Sequence, residues 1–185
     1  MAWGTESKRL AFKAIGTVES SLRYNAVNYN DPITVGVMQW FGTRAADILN
    51  RMRLENPSSW TGVATSIAND LRTKVTTSAN RTWWENRHLT LTEGESLRSV
   101  LNANAAIQVD QFDRDCVPYL SVARQQGIDP EAHTMVFIFW MSMHHQSPKR
   151  ARQVAAITSA EASLEKWLSN ALNNEVLYKY PSRYR

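Results

Sequence analysis

Apolar residues recur along most of this chain at the three- and four-residue intervals that place them on one side of an α-helix. Between residues 7 and 22 the stripe is Ala11, Phe12, Ile15, Val18 and Leu22, and it predicts a first helix. The spacing returns over 43–53 through Ala46, Ile48, Leu49 and Met52, and over 57–71 through Trp60, Val63, Ile67 and Leu71. Residues 25–40 break the pattern. Asn28-Tyr29-Asn30-Asp31-Pro32 clusters turn-forming residues beside short β-prone pieces, which predicts a small hairpin or loop. The polar run 76–80 predicts a second loop, leading into Trp83-Trp84.

Helix starts are marked further on. Thr92 and Glu95 have capping-box spacing, in which each side chain serves the other residue's free backbone amide. The apolar stripe then runs through Ile107, Val109, Phe112, Cys116 and Leu120 toward Gly127, and Pro118 is expected to divide it into two helices. Asp129-Pro130-Glu131 combines an N-cap, a proline at the first helical position and an early acid. The segment it opens is apolar nearly all round from Met135 to Met143, the pattern of a buried helix at the centre of a core. Ser147-Pro148 predicts another start, and Thr158 with Glu161 a second capping box before Leu164, Trp167, Leu168 and Leu172. The expected architecture is mainly α: several helices around a central buried one, with a small β-hairpin or loop insert after the first. No repeat, low-complexity run or linker divides the chain, so one domain over 1–185 is expected.

Composition narrows the setting. With 185 residues, 43% hydrophobic and 21% charged, the chain is long enough for a substantial core, and no apolar run reaches the length of a membrane span. Residues 1–9 lack the apolar stretch of a signal peptide, so no export signal is expected. The one cysteine, Cys116, excludes an internal disulfide and lies at core spacing with Phe112 and Leu120. The net charge of +4 rests on 15 arginines against 6 lysines and suits a partner with spread negative charge: nucleic acid, a membrane surface or a bacterial wall. A solvated basic surface accounts for it equally well. His144-His145 close a helix, and no HExxH, Cys-x-x-Cys or phosphate-binding glycine loop is present, so neither a metal nor a cofactor is expected.

Candidate chemistry concentrates between Glu19 and Trp40. Glycoside cleavage needs a protonated acid beside the leaving oxygen and a second group that stabilises an oxocarbenium-like transition state or directs water. Glu19 falls at the apolar edge and near the C-terminal end of the first helix, where partial burial and the helix dipole both disfavour the carboxylate anion. A surface glutamate paired with Arg23 is the plainer reading of that position alone. Asp31 and Thr34 follow in a polar segment that must return toward the helix, and Gly36 allows close backbone approach. Tyr24, Tyr29, Trp40 and Phe41 offer flat rings for sugar faces, with Trp83-Trp84 as a second candidate wall.

These residues carry a resemblance. Glu19-Ser20-Ser21 with Gly36-Val37-Met38-Gln39 resembles the signature of the goose-type lysozymes and soluble lytic transglycosylases, and the order Glu19, Asp31, Thr34-Val35-Gly36 looks like the catalytic arrangement of phage lysozymes. Both belong to the lysozyme-like superfamily, and the likeness covers residues 19–40. Asn30-Asp31-Pro32 is shorter than the loop of either family. The resemblance implies a lysozyme-like α+β fold and cleavage of the β-1,4 bond between N-acetylmuramic acid and N-acetylglucosamine. It implies Glu19 as general acid, Asp31 and Thr34 as catalytic partners, and Met38 and Gln39 at the sugar site. Tyr24, Tyr29 and Trp40 are further candidate substrate contacts.

On this reading the protein is a phage endolysin. It would be held in the host bacterial cytoplasm before lysis, reach the wall through a holin, and act as a monomer on peptidoglycan with its anionic polymers, with no nucleic-acid partner expected. Three alternatives stand beside it: a lytic transglycosylase or virion-associated lysin of the same fold, a chitosanase- or chitinase-like hydrolase, and a non-enzymatic binder of anionic polymers. The last rests on the basic residues of 149–152 and the basic-aromatic ending 178–185.

Overall fold

A computed structural model describes residues 3–179; Met1, Ala2 and most of the basic-aromatic ending, 180–185, lie outside the described residues. The described chain is mainly helical, with one small antiparallel sheet. It forms two compact units, one of residues 16–112 and one joining 3–15 to 113–179. The chain passes between them within helix α1 (Thr5–Ser20) and again within α6 (Ala105–Gln125). No described helix is long and apolar enough to cross a membrane.

In the 16–112 unit, α1 ends at Ser20, two residues before the expected Leu22, because Ser21 and Leu22 take positive φ values of 56° and 59°. The predicted hairpin is a three-stranded antiparallel sheet in the order β1 (Val27–Asn28), β2 (Thr34–Val35), β3 (Trp40–Phe41). Its register pairs Val35 with Val27 on one side and with Trp40 on the other. Helix α2 (Thr43–Glu55) buries Ala45, Ala46, Ile48, Leu49 and Met52. The stripe over 57–71 is not one helix: a 3-10 turn, Pro57–Trp60, precedes α3 (Thr65–Thr73), and Gly62, at φ 86°, breaks the run. Helix α4 (Arg81–Trp84) is short, with Trp84 fully buried and Trp83 half-buried beneath the Lys74 ammonium.

Helix α5 (Leu91–Ala103) carries a capping box, but on Thr90 and Glu93 rather than Thr92 and Glu95. The Glu93 side chain has further partners that select this register. It accepts hydrogen bonds from Ser66 and from the Arg87 guanidinium, which also meets Asp70 at 2.9 Å. Burial works against the Glu93 charge, but the bonds from Arg87, Ser66 and the Thr90 amide outweigh it and hold its carboxyl at about 2. The Arg87 carbonyl meanwhile accepts the Ile33 amide at 2.6 Å, tying this cluster to the sheet.

The predicted division at Pro118 falls instead at Asn104, where α5 ends and α6 begins. The Asn104 amide donates to the Val100 carbonyl at 2.7 Å and to Ser59 Oγ at 3.0 Å, which holds it out of the helical ladder. Pro118 lies on the exposed side of α6, so the ladder bond that its missing amide removes falls on the solvent-facing side of the helix.

In the other unit, α7 (Thr134–Gln146) is the expected buried helix, with Phe137, Trp140, Met141 and Met143 at 0% exposure. It packs against α8 (Pro148–Ala156) and α9 (Leu164–Leu172). It starts later than Asp129-Pro130-Glu131 suggests. Those residues form a separate turn, Asp129 Oδ1 accepting the Glu131 amide at 2.9 Å, and His133 leaves helical geometry with its Nε2 3.1 Å from Glu161. Glu161 is thereby committed, so the second expected capping box does not form. Ser163 caps α9, and the Thr158 hydroxyl donates to the Val154 carbonyl. Cys116 is fully buried, and burial together with Asp113 and Asp115 pushes its thiol up to about 12, far from a reactive thiolate.

Candidate active site

A cleft of about 410 Å³ lies within the 16–112 unit, lined by Glu19, Ser20, Arg23, Ala26, Val27, Asn28, Tyr29, Asn30, Gln39 and Arg98. That volume is in the range of a small-ligand site. Of the residues predicted from sequence, Glu19, Tyr29 and Gln39 meet here. Glu19 is the penultimate residue of α1, half-buried, and is the one acid among the lining residues.

Ser20 fixes the end of that helix. Its hydroxyl donates to the Val37 carbonyl at 2.8 Å and accepts the Arg23 amide at 3.1 Å, so α1, the loop after β2 and the following turn share one buried side chain. Gly16 completes the contact from one turn earlier; a Cβ there would come within 3.0 Å of Leu22 and 3.1 Å of Val37.

The loop carrying Gln39 is held by a residue far away in sequence. Gln108, fully buried on α6, accepts the Val37 amide at 2.8 Å and donates to the carbonyls of Leu101 at 2.8 Å and Tyr24 at 3.2 Å. Gly36 is required beside it: φ is 79°, and a Cβ would stand 2.6 Å from Gln108 Oε1. Gln39 itself has φ 50°, a left-handed conformation unusual for a residue with a side chain. Its Nε2 donates to the Gly36 carbonyl at 3.0 Å, which orients the carboxamide at the cleft. Replacing Gln39 by glycine is expected to leave thermal stability equal or raise it by up to about 1 kcal/mol, because glycine takes this φ without strain. On the glycan-cleaving expectation drawn from residues 19–40, cleavage by the same variant falls at least tenfold. Retained activity would show that the strained side chain has no part in the site.

Tyr29 is seated on α5 at Gly94, where a Cβ would lie 2.4 Å from its ring, and its hydroxyl donates to Glu95 at 2.8 Å. Arg98, one turn along, donates from Nε to Glu95 at 2.9 Å and from Nη1 to the Asn25 carbonyl at 3.3 Å. Burial and the Glu95 bond raise the Tyr29 hydroxyl above its ordinary range, keeping it a donor. In Gly94→Ala the helix gains about 1 kcal/mol of propensity while the ring must move. The expected result is a melting temperature within a few degrees of wild type and, on the glycan-cleaving expectation drawn from residues 19–40, a several-fold rise in KM. An unchanged KM would mean that Tyr29 does not contact substrate.

The other predicted residues are not brought to the cleft. Asp31 is exposed in the turn before β2, its carboxylate accepting from Asn28 Nδ2 at 2.8 Å, and does not line the cleft. Thr34 is buried in β2, its hydroxyl donating to the Pro32 carbonyl at 2.7 Å. Met38 and Trp40 are buried at 0% and 1% exposure, the Trp40 ring against Gly36, and Tyr24 reaches the network through its carbonyl. Neither Phe41, exposed on β3, nor the Trp83-Trp84 pair lines the cleft. Sequence reasoning missed Asn28 and Arg98, which line the cleft, and Gln108, which holds its loop from α6. Asn28 sits in a turn-forming cluster; the other two lie more than 55 residues from the Glu19–Trp40 segment, where no local spacing marks them.

No cluster of three or more His, Cys, Asp or Glu side chains with metal-binding geometry occurs among the described residues. No protein-family model, curated protein or solved structure matches the chain.

Proposed function

We propose that the protein is a peptidoglycan-cleaving glycosidase acting on the bond between N-acetylmuramic acid and N-acetylglucosamine, with Glu19 as the acid. The observation that carries the reading is Glu19 at a polar cleft with Tyr29, held by a hydrogen bond to α5, and Gln39, held by one to the Gly36 carbonyl of its own loop. Glu19 protonates the leaving oxygen, while the amide oxygen of Gln39 and the Tyr29 ring position the sugar. The resemblance of residues 19–40 to the lysozyme-like families supports the substrate class. A phage endolysin released to the wall by a holin is the setting that fits.

One observation favours the lytic transglycosylase form. Asp31 does not line the cleft, so Glu19 serves both halves of the reaction: it gives its proton to the leaving oxygen, then takes one from the attacking group. If that group is water the product is a reducing sugar; if it is a hydroxyl of the same sugar, the product is an anhydro sugar one water lighter. Digesting purified peptidoglycan with wild type and Asp31→Asn, and weighing the fragments, tests this. Fragments from both proteins at comparable rates support a single acid, and the mass identifies the attacking group. Loss of activity in Asp31→Asn would restore a two-acid mechanism, and no fragments from wild type would remove the glycosidase reading.

A further inference from the structure

We propose that Arg23 and Arg98 form an anion-reading edge of the cleft, which selects a glycan bearing carboxylates over a neutral one. This deepens the glycosidase reading and rests on it for the identity of the polymer. The two guanidinium groups come from opposite sides of the chain's course, one from the turn after α1 and one from α5, and both line the cleft that holds Glu19. Arg98 is paired with Glu95 at 2.9 Å, so Arg23 is the lining cation without an ion pair among the described residues, and Arg98 adds the hydrogen-bond donors that Glu95 leaves.

Each arginine is held by part of its fork and keeps donors for a ligand. Arg23 donates from Nε to the Ser20 carbonyl at 3.0 Å, is exposed, and forms no ion pair among the described residues. Arg98 gives Nε to Glu95 and Nη1 to the Asn25 carbonyl. A guanidinium has five N–H groups in a planar fork, so Arg23 retains the Nη1/Nη2 pair that meets a carboxylate through two hydrogen bonds, while Arg98, which also meets the Tyr29 hydroxyl, retains single donors beside it. Peptidoglycan supplies carboxylates on the peptide branch of every second sugar, or on its lactyl group where no peptide is attached, whereas chitin supplies none.

The test uses the full chain and fluorescently labelled soluble glycan strands from peptidoglycan, either native or with carboxylates converted to methylamides. Binding is read by anisotropy at fixed salt, and cleavage of the same probes is read separately. Wild type is expected to bind the native strand about tenfold more tightly than the amidated one, the worth of one charge-assisted contact. In Arg23→Gln and Arg98→Gln the gap is expected to close to within about threefold, and in the double variant to vanish. Arg23→Lys, which keeps the charge without the fork, is expected to fall between. Melting curves identify any variant that has lost its fold, and Arg23→Lys carries the comparison if Arg23→Gln has. Equal binding of both strands by wild type, a gap unaffected by the substitutions, or no binding of the native strand would each overturn the proposal. A charge-dependent gap without cleavage would leave the anion-reading edge standing and remove the glycosidase; cleavage without the gap would do the reverse.

Discussion

Replacing Glu19 by glutamine is expected to lower the rate of peptidoglycan cleavage by about 100- to 10,000-fold, the usual worth of a positioned general acid. Glutamine keeps the shape of the side chain and its place at the end of α1 but has no proton to transfer to a leaving oxygen. Glu19 is half-buried at the cleft and outside the apolar core. The melting temperature is therefore expected to stay within a few degrees of wild type, and KM to change far less than kcat. A loss of activity accompanied by a large fall in melting temperature would assign Glu19 a structural role.

The largest effect on stability is expected at Arg87. Its guanidinium is 17% exposed and joins Asp70, at 24%, to Glu93, at 5%. Glu93 also caps α5, and the Arg87 backbone holds β2 through Ile33. Arg87→Met removes the cation and leaves the Glu93 charge buried with only the Ser66 and Thr90 donors, a loss of about 3 to 5 kcal/mol measured by denaturant unfolding. Changing Arg87 and Glu93 together to Met and Leu is expected to cost less than Arg87→Met alone, since the buried Glu93 charge is then gone and only the more exposed Asp70 loses its cation.

The pH dependence has the corresponding sign. The Glu93 carboxyl titrates at about 2 in the fold against an ordinary 4.5. Its contribution is complete above the unfolded value, and it is lost as pH falls from about 4.5 toward 2. Wild type should therefore lose more stability over that interval than Glu93→Gln, and parallel curves would contradict the role given to this cluster.

That cluster also shows why only part of the fold was legible in the sequence. Residues 90–95 contain two overlapping Thr-x-x-Glu spacings, and nothing local chooses between them. The choice is made by Arg87 and Ser66, which reach Glu93 from outside the helix. Periodic stripes located α1 and α2, and an all-round apolar run located α7, because the burial pattern is a property of the segment itself. Helix ends were less legible. Asn104 stops α5 through its bonds to Val100 and Ser59, while Pro118 sits harmlessly on an exposed face.

The candidate site divides the same way. Glu19 and Gln39 lie within one short stretch whose order was informative, whereas Asp31 lies in the same stretch and points its carboxylate to Asn28 instead. Sequence order brings a residue near a site without orienting its side chain. Gln108 and Arg98 act on the loop and the cleft from α6 and α5, so their part emerged only from the fold.

The most direct measurement of the central claim is the release of soluble fragments from purified peptidoglycan by wild type and Glu19→Gln at equal concentration, followed by mass spectrometry. The expected result is fragments ending at the N-acetylmuramic acid–N-acetylglucosamine bond from wild type and almost none from the variant. Equal release by the two proteins, or none by wild type, would contradict it.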